Sequence, residues 1–250
     1  MKIKSTFSSA KLMIISLILC FCAFNANSQT AEEWLLNGIT AFKNGDYQKA
    51  VECYEKAIYL KPDYAEAYFV TGITYTVWNG QYEKAIECYE KAIKLKPDYA
   101  EAYNNMGMAY GSLYWQYEKA IECYEKAIKL KPDFANAYRN MGNAYSDWKG
   151  QHKKAIECYK KAIKYEPDDA VAYCFMGTAY ADWNGQYEKA IECFEKAIYL
   201  KPDFALAYWF MGFSYYGNGD ERQGISCFKK AAKLGDEGAK QWLKEKGYSW

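Results

Sequence analysis

Histidine is almost missing from this chain of 250 residues: His152 is the only one. A single imidazole leaves a Ser–His–Asp relay or a Cys/His zinc site without its usual parts, and no Cys-x-x-Cys pair makes up for it. No phosphate-cradling run occurs either, because the 17 glycines stand singly. Neither sign of charge dominates, with 32 basic groups against 31 acidic ones. Without a basic stripe there is no counterion-releasing surface, so nucleic acid is not the expected partner. The apolar stretch Leu12–Phe24 has 13 residues, short of the ~20 that a membrane-spanning helix needs. Material for a core is plentiful: 51% of residues are hydrophobic, 18% are aromatic, and tyrosine alone occurs 26 times. Disorder is excluded on that ground.

The first 28 residues read as an export signal. Lys2, Lys4 and Lys11 form a positive leader, the short apolar stretch follows, and Ala26-Asn27-Ser28 places small residues before Gln29 for cleavage. Cys20 and Cys22 do not suit a lipoprotein, since Leu19 and Phe21 stand where a small residue is expected. Loss of the three leader lysines leaves 29 basic against 31 acidic groups, a net −2. The expected location is the periplasm or the outside of a bacterial cell, with retention of the leader as an anchor the alternative.

Proline is scarce, and its placement is the key to the chain. The five prolines, Pro62, Pro97, Pro132, Pro167 and Pro202, are each 35 residues apart. Each closes a copy of one stretch, Ala85–Asp98 in its plainest form, which recurs at 50–63, 120–133, 155–168 and 190–203. A looser sixth copy runs through Gly224, Cys227, Phe228 and Ala231. Self-similarity at such a period marks a solenoid with one linear core.

Each unit reads as two helices. In the second, Tyr68, Gly72 and Tyr75 share one face, and Ala85, Tyr89, Ala92 and Ile93 share a face of a helix starting near Tyr82. Gly80, Gly150 and Gly185 fall in the connection, where a positive φ ends the first helix. The prolines stop the second helix. Asp63-x-x-Glu66 and Asp98-x-x-Glu101 read as capping boxes. Glu87–Lys91, Glu90–Lys94, Glu122–Lys126 and Glu192–Lys196 read as i, i+4 ion pairs on a solvated convex face. After the last copy, 236–246 puts Ala239, Trp242 and Leu243 on one side of a helix that covers the open apolar end.

These residues resemble the tetratricopeptide repeat (TPR) family. Its pattern of large residue, glycine, aromatic, alanine, aromatic, alanine and proline is met by Tyr68, Gly72, Tyr75, Ala85, Tyr89, Ala92 and Pro97. It is met again by Tyr103, Gly107, Tyr110, Ala120, Tyr124, Ala127 and Pro132, and by Trp34, Gly38, Ala50, Tyr54, Ala57 and Pro62 in the first copy. The resemblance implies an all-α fold, a right-handed α-solenoid of six antiparallel helix pairs over 31–233. The repeats fall at about 31–64, 65–99, 100–134, 135–169, 170–204 and 205–233, with a C-terminal capping helix and tail over 234–250. The chain departs from the family in three ways. Repeats two to five carry one extra residue in the turn. The sixth lacks the proline. Asn37 and Thr71 replace the leucine before the glycine, which is expected to loosen the N-terminal end.

Cys53, Cys88, Cys123, Cys158, Cys193 and Cys227 occupy one helix position, a repeat apart. A repeat spans ~10 Å, whereas a disulfide needs Cα atoms within ~7 Å, so these are small apolar packing residues. Cys174 is the exception, at a groove position, where an enzyme with a reactive thiol is the third and least favoured reading. His152 aligns with Tyr82 and Tyr187, which are packing residues. Trp78, Trp148 and Trp183 mark the turns, with Trp115 displaced by two. They either cover the end of their own helix pair or form an aromatic edge for sugars.

In the family the first helix of each pair lines a concave groove that holds peptides or partner helices. By position, the resemblance puts Asn104, Asn105, Arg139, Asn140, Asn143 and Asp147 in the middle of that groove. Phe175, Trp209, Phe210 and Phe213 lie at one end of it. Amides and a guanidinium suit an extended backbone or a carboxylate, and aromatics suit apolar anchors. The aromatics form an exposed patch unless the last helix folds over them. The expectation is a non-enzymatic protein–protein scaffold without cofactor or metal, holding a peptide or a partner protein. The alternative is a carbohydrate- or cell-wall-binding accessory protein using the turn tryptophans.

Overall fold

The structure, a computed structural model, describes residues 29–113, 116–148 and 150–250. The export signal expected at 1–28 and the displaced Trp115 lie outside the described residues. Thirteen helices and no strand occur among the described residues. They are α1 (Ala31–Lys43), α2 (Tyr47–Leu60), α3 (Ala65–Val77), α4 (Tyr82–Leu95), α5 (Ala100–Ser112), α6 (Tyr117–Leu130) and α7 (Ala135–Asp147). The series continues with α8 (His152–Tyr165), α9 (Ala170–Asp182), α10 (Tyr187–Leu200), α11 (Ala205–Gly217), α12 (Glu221–Lys233) and α13 (Glu237–Glu245). Odd and even helices pair in sequence, α1 with α2 through α11 with α12, and each pair packs on the next.

One contact, repeated six times, sets the pairing. The glycine of each first helix lies under the buried aromatic of its partner: Gly38 under Tyr54, Gly72 under Tyr89, Gly107 under Tyr124, and so on to Gly212 under Phe228. These rings are essentially solvent-free, as are the alanines flanking them. At Gly142 an added Cβ would lie 2.6 Å from Tyr159 Cε1, a ring that is itself fully enclosed. Gly142→Ala is therefore expected to cost about 1–3 kcal/mol through overpacking, read as a lower denaturation midpoint at unchanged helix content.

The extra residue of the middle repeats is taken up in the turn. Between α3 and α4 two successive residues are left-handed, Asn79 (φ 57) and Gly80 (φ 62), and Asn184 and Gly185 repeat this between α9 and α10. The shorter α1–α2 link manages with Gly45 alone at φ 78. In the longer turns a glutamine side chain takes up a free helix-end carbonyl: Gln81 and Gln186 Nε2 donate to Trp78 and Trp183 O at 2.9 Å.

Two expectations are corrected. Asp63 and Asp98 form no capping box, because the helices start one residue later and Tyr64 and Tyr99 are the N-caps, without a side-chain bond. Glu66 and Glu101 instead pair with Lys96 and Lys131 at 3.5 and 3.6 Å. A capping box does form at Thr30 and Glu33. Nor do the i, i+4 glutamate–lysine pairs on the second helices close. Lys91 and Lys196 lie over the rings of Tyr68 and Tyr199. A tyrosine face attracts the ammonium and covers its stem, whereas an exposed ion pair gains little.

Thr71, in leucine's place, is buried and its hydroxyl donates to Ala67 O at 2.7 Å, yet it also lines a hollow of about 520 Å³ with Tyr68, Tyr75 and Cys88, and Asn37 is exposed. At the other end α13 lies across α11 and α12. Trp242 meets Phe228 at a ring distance of 4.2 Å, and Ala239 and Leu243 are fully buried.

Candidate functional site

The odd-numbered helices α5, α7, α9 and α11 share one face, and three adjoining hollows run along it. The first, about 220 Å³, lies between α5 and α7, with Met108, Asn140, Asn143 and Asp147 in its lining. The second, about 310 Å³, continues from Asn143 and Asp147 to Phe175, Thr178, Asp182 and Phe210. The third, about 490 Å³, is walled by Thr178, Asp182, Phe194, Phe210 and Phe213. Shared residues join each hollow to the next, so they form one continuous groove. Its floor is built by the repeat itself: Phe175 stacks on Tyr159, and Phe210 stacks on Phe194.

The amides hold one another in place. Asn140 Nδ2 donates to Asn104 Oδ1 at 3.0 Å, and Asn104 Nδ2 donates to Asn105 Oδ1 at 3.2 Å. Tyr159 donates its hydroxyl to Asn143 Oδ1 at 2.8 Å. Asn104 is buried behind this ladder, while Asn105, Asn140 and Asn143 are half-exposed.

Arg139 stands apart from the hollows. Its guanidinium pairs with the buried carboxylate of Asp169 and donates to Asn136 Oδ1 at 2.7 Å. At the earlier repeat junctions a lysine does this work: Lys61, Lys96 and Lys131 each bind a glutamate of their own repeat and cover the aromatic three residues on. Between repeats four and five all three parts differ, with Asn136, Glu166 and Asp169 at those places. Arg139 replaces the missing clasp. Asp169 also caps α9, accepting from Val171 N and Ala172 N. A fully buried pair broken on one side costs roughly 3–5 kcal/mol. The Arg139 side chain is 23% exposed against 4% for Asp169, so Arg139→Ala is expected to cost about 2 kcal/mol, seen as a lower melting temperature.

Of the C-terminal aromatics, Phe175, Phe210 and Phe213 line the groove, with Phe213 43% exposed. Trp209 does not. It packs edge-on to Phe213 and against Phe228, beside Gly238 of α13. The last helix thus covers part of the patch and leaves Phe213 open. Cys174 is also out of the groove: it is fully buried, and burial pushes its thiol up to about 12. A protonated, enclosed thiol is inert, which goes against the minor reading of Cys174 as a reactive position. The other six repeat cysteines are likewise free, with no disulfide among the described residues.

His152 takes the place of Tyr82 and Tyr187, its ring against Gly150 as theirs are against Gly80 and Gly185. Its Nδ1 is enclosed and without a hydrogen-bond partner among the described residues. The turn tryptophans Trp148 and Trp183 are half-buried against clusters that join their own helix pair to the one before. They cover the core at these junctions, with part of each residue left at the surface.

Missed in the sequence were Thr178 and Asp182. Both sit at groove positions of α9, and alignment of that helix with 135–147 would have found them. Asp147 and Asp182 are the carboxylates of the groove, and no lysine or arginine lines its three hollows. Partial burial raises the Asp147 pKa above the ordinary carboxylate value.

Residues 40–76, 79–113, 116–147, 149–182 and 184–219 match the TPR repeat. The chain belongs to the TPR repeat family. These matches count each unit from the second helix of one pair to the first of the next. Residues 205–236 also match the Sel1 repeat, over the sixth pair, where the proline is missing. Among solved structures, MamA is 32% identical, covering 67% of this chain and 96% of that one, with a TM-score of 0.58. PilW, described as a widely conserved type IV pilus biogenesis factor, is 20% identical over 86% of this chain and 99% of its own, at a TM-score of 0.76. YrrB, described as a TPR protein with an unusual peptide-binding site, is 22% identical over 78% of this chain and 99% of its own, at 0.60. The last two show the fold alone. No curated protein matches the chain. The TPR repeats place it among protein–protein interaction scaffolds. Among the described residues no helix is long and apolar enough to cross a membrane.

Proposed function

We propose that this TPR protein holds an extended segment of a partner protein along the groove of α5, α7, α9 and α11, acting outside the cytoplasm of a bacterial cell. The observation that carries this reading is where the repeats differ. The second helices are near copies of one another, yet at one groove position the chain has Val70, Asn105, Asn140, Phe175 and Phe210 in turn. At another it has Ile73, Met108, Asn143, Thr178 and Phe213. The scaffold repeats while the groove does not, as expected of a surface that reads a non-repeating ligand.

Asn140 and Asn143 would meet the ligand backbone, with Asn104 and Asn105 fixing their orientation. Phe175, Phe210 and Phe213 would take apolar side chains. Arg139 and Trp209 act through packing rather than contact. A groove already held by hydrogen bonds and stacked rings loses little conformational freedom on binding, which favours affinity. Export rests on the charged and apolar pattern of residues 1–28.

Site-specific cross-linking tests the reading. A photoreactive phenylalanine at Phe213 should capture a defined partner in cells. The same group at Tyr199, 76% exposed on α10, should not. Capture at Tyr199 alone would overturn the groove assignment.

A further inference from the structure

The groove is acidic in a molecule that is otherwise balanced. Asp147 and Asp182 stand at equivalent ends of α7 and α9, both reaching solvent, Asp147 with its carboxyl partly buried, and each lining two of the hollows. Neither makes an ion pair among the described residues, whereas the one arginine of these helices is spent on Asp169. Lysines of the even-numbered helices lie over tyrosine rings of the odd-numbered ones, as Lys84, Lys91, Lys119 and Lys189 show. Beyond Asp182 the groove turns apolar at Phe210 and Phe213.

We infer that the groove selects a cationic segment of a partner protein, with lysine or arginine side chains placed on Asp147 and Asp182 and an apolar residue placed on Phe210 and Phe213. This rests on the reading of the groove as the binding face and adds the chemistry of its ligand. Spacing narrows it further. Successive groove helices lie on the order of 10 Å apart, and an extended chain rises ~3.3 Å per residue. Two cations three residues apart, with an aromatic or aliphatic residue three further on, therefore match the two carboxylates and the apolar end. Exposed carboxylates with no ion pair among the described residues favour such a ligand by complementarity and repel an acidic one.

The test uses the full chain and three synthetic peptides followed by fluorescence anisotropy. One has two lysines three residues apart and a phenylalanine three further on. The second has glutamates for the lysines, and the third has alanine for the phenylalanine. The first should bind saturably and at least tenfold tighter than either of the others. Asp147→Asn/Asp182→Asn should remove that preference for lysine over glutamate at an unchanged melting temperature, and raised salt should weaken binding to the native chain. No binding of the lysine peptide, or equal binding of the glutamate peptide, overturns the inference. So does self-association of the chain that the double variant abolishes, since the lysine-bearing face of a second copy would then be the occupant. The groove reading is separable: if Phe213 cross-links a partner that the double variant still holds with full affinity, only the cationic ligand is lost. Cross-linking confined to Tyr199 removes both.

Discussion

Phe194→Ala is expected to lower the unfolding free energy by about 3–5 kcal/mol, the range for a large aromatic deleted from a sealed core. Phe194 is fully buried, and its ring presses on Gly177. Phe210 stacks on it from the next repeat at a ring distance of 6.3 Å. The backbone of α9 and α10 cannot close the gap, because the alanines on either side, Ala190 and Ala197, are already in contact and solvent-free. The loss should have a second consequence. Phe194 is a wall of the 490 Å³ hollow, so Phe210 would sink toward the vacated space and the apolar end of the groove would lose its shape. Denaturant unfolding measures the first effect, and partner capture through Phe213 reads the second. Phe194→Tyr should be mild, since Tyr54, Tyr89, Tyr124 and Tyr159 fill the same place in other repeats.

Leu243→Ala should be the next most damaging change, at about 2–5 kcal/mol. Leu243 and Ala239 have no exposure, and with Trp242 they cover Phe228, Ala231 and Ala232. In a linear array each pair leans only on its neighbours, so the last one has no other cover. Losing this contact should free α13 first and expose the rings of Phe228 and Trp209 together. An exposed aromatic patch of that kind drives association. Limited proteolysis should therefore cut at Lys240 or Lys244 in Leu243→Ala well before any other site, and the variant should aggregate on warming. A variant that resists cleavage there and stays monomeric would show that α13 adds nothing to the end of the array.

Much of the fold could be read from spacing. The 35-residue proline interval, the glycine 17 residues before its aromatic in the middle repeats and the turn glycines each correspond to one contact or one dihedral in the structure. What spacing could not supply was register at the level of a single residue. Asp63 and Asp98 look like N-caps, yet the helix begins one residue beyond them, and a cap displaced by one reaches no amide. Asp169 does cap, because there the aspartate itself holds the N-cap position. Choice among partners was equally hidden. Lys91 has Glu87 one turn away along the chain and Tyr68 across a helix boundary, and only the packed structure shows that the ammonium lies over the ring without closing an ion pair to the carboxylate.

The candidate site was legible in part for the same reason. A family pattern says which positions face the groove, and it placed Asn140, Asn143, Phe175, Phe210 and Phe213 there. It does not say which side chains turn aside. Arg139 turns to Asp169 because the lysine clasp is missing at that junction, a departure written in Asn136, Glu166 and Asp169 but meaningful only once the clasp had been seen elsewhere. Cys174 falls at a position that faces the groove in the family pattern, yet its side chain is enclosed in the core cluster with Phe194 and Ala207.

The decisive measurement is amide hydrogen exchange on the complex isolated with its native partner, compared with the free chain. The groove account predicts slowed exchange in α7, α9 and α11, with α8 and α10 unchanged along their outer turns. Protection confined to α8 and α10, with α7, α9 and α11 exchanging as in the free chain, would contradict it.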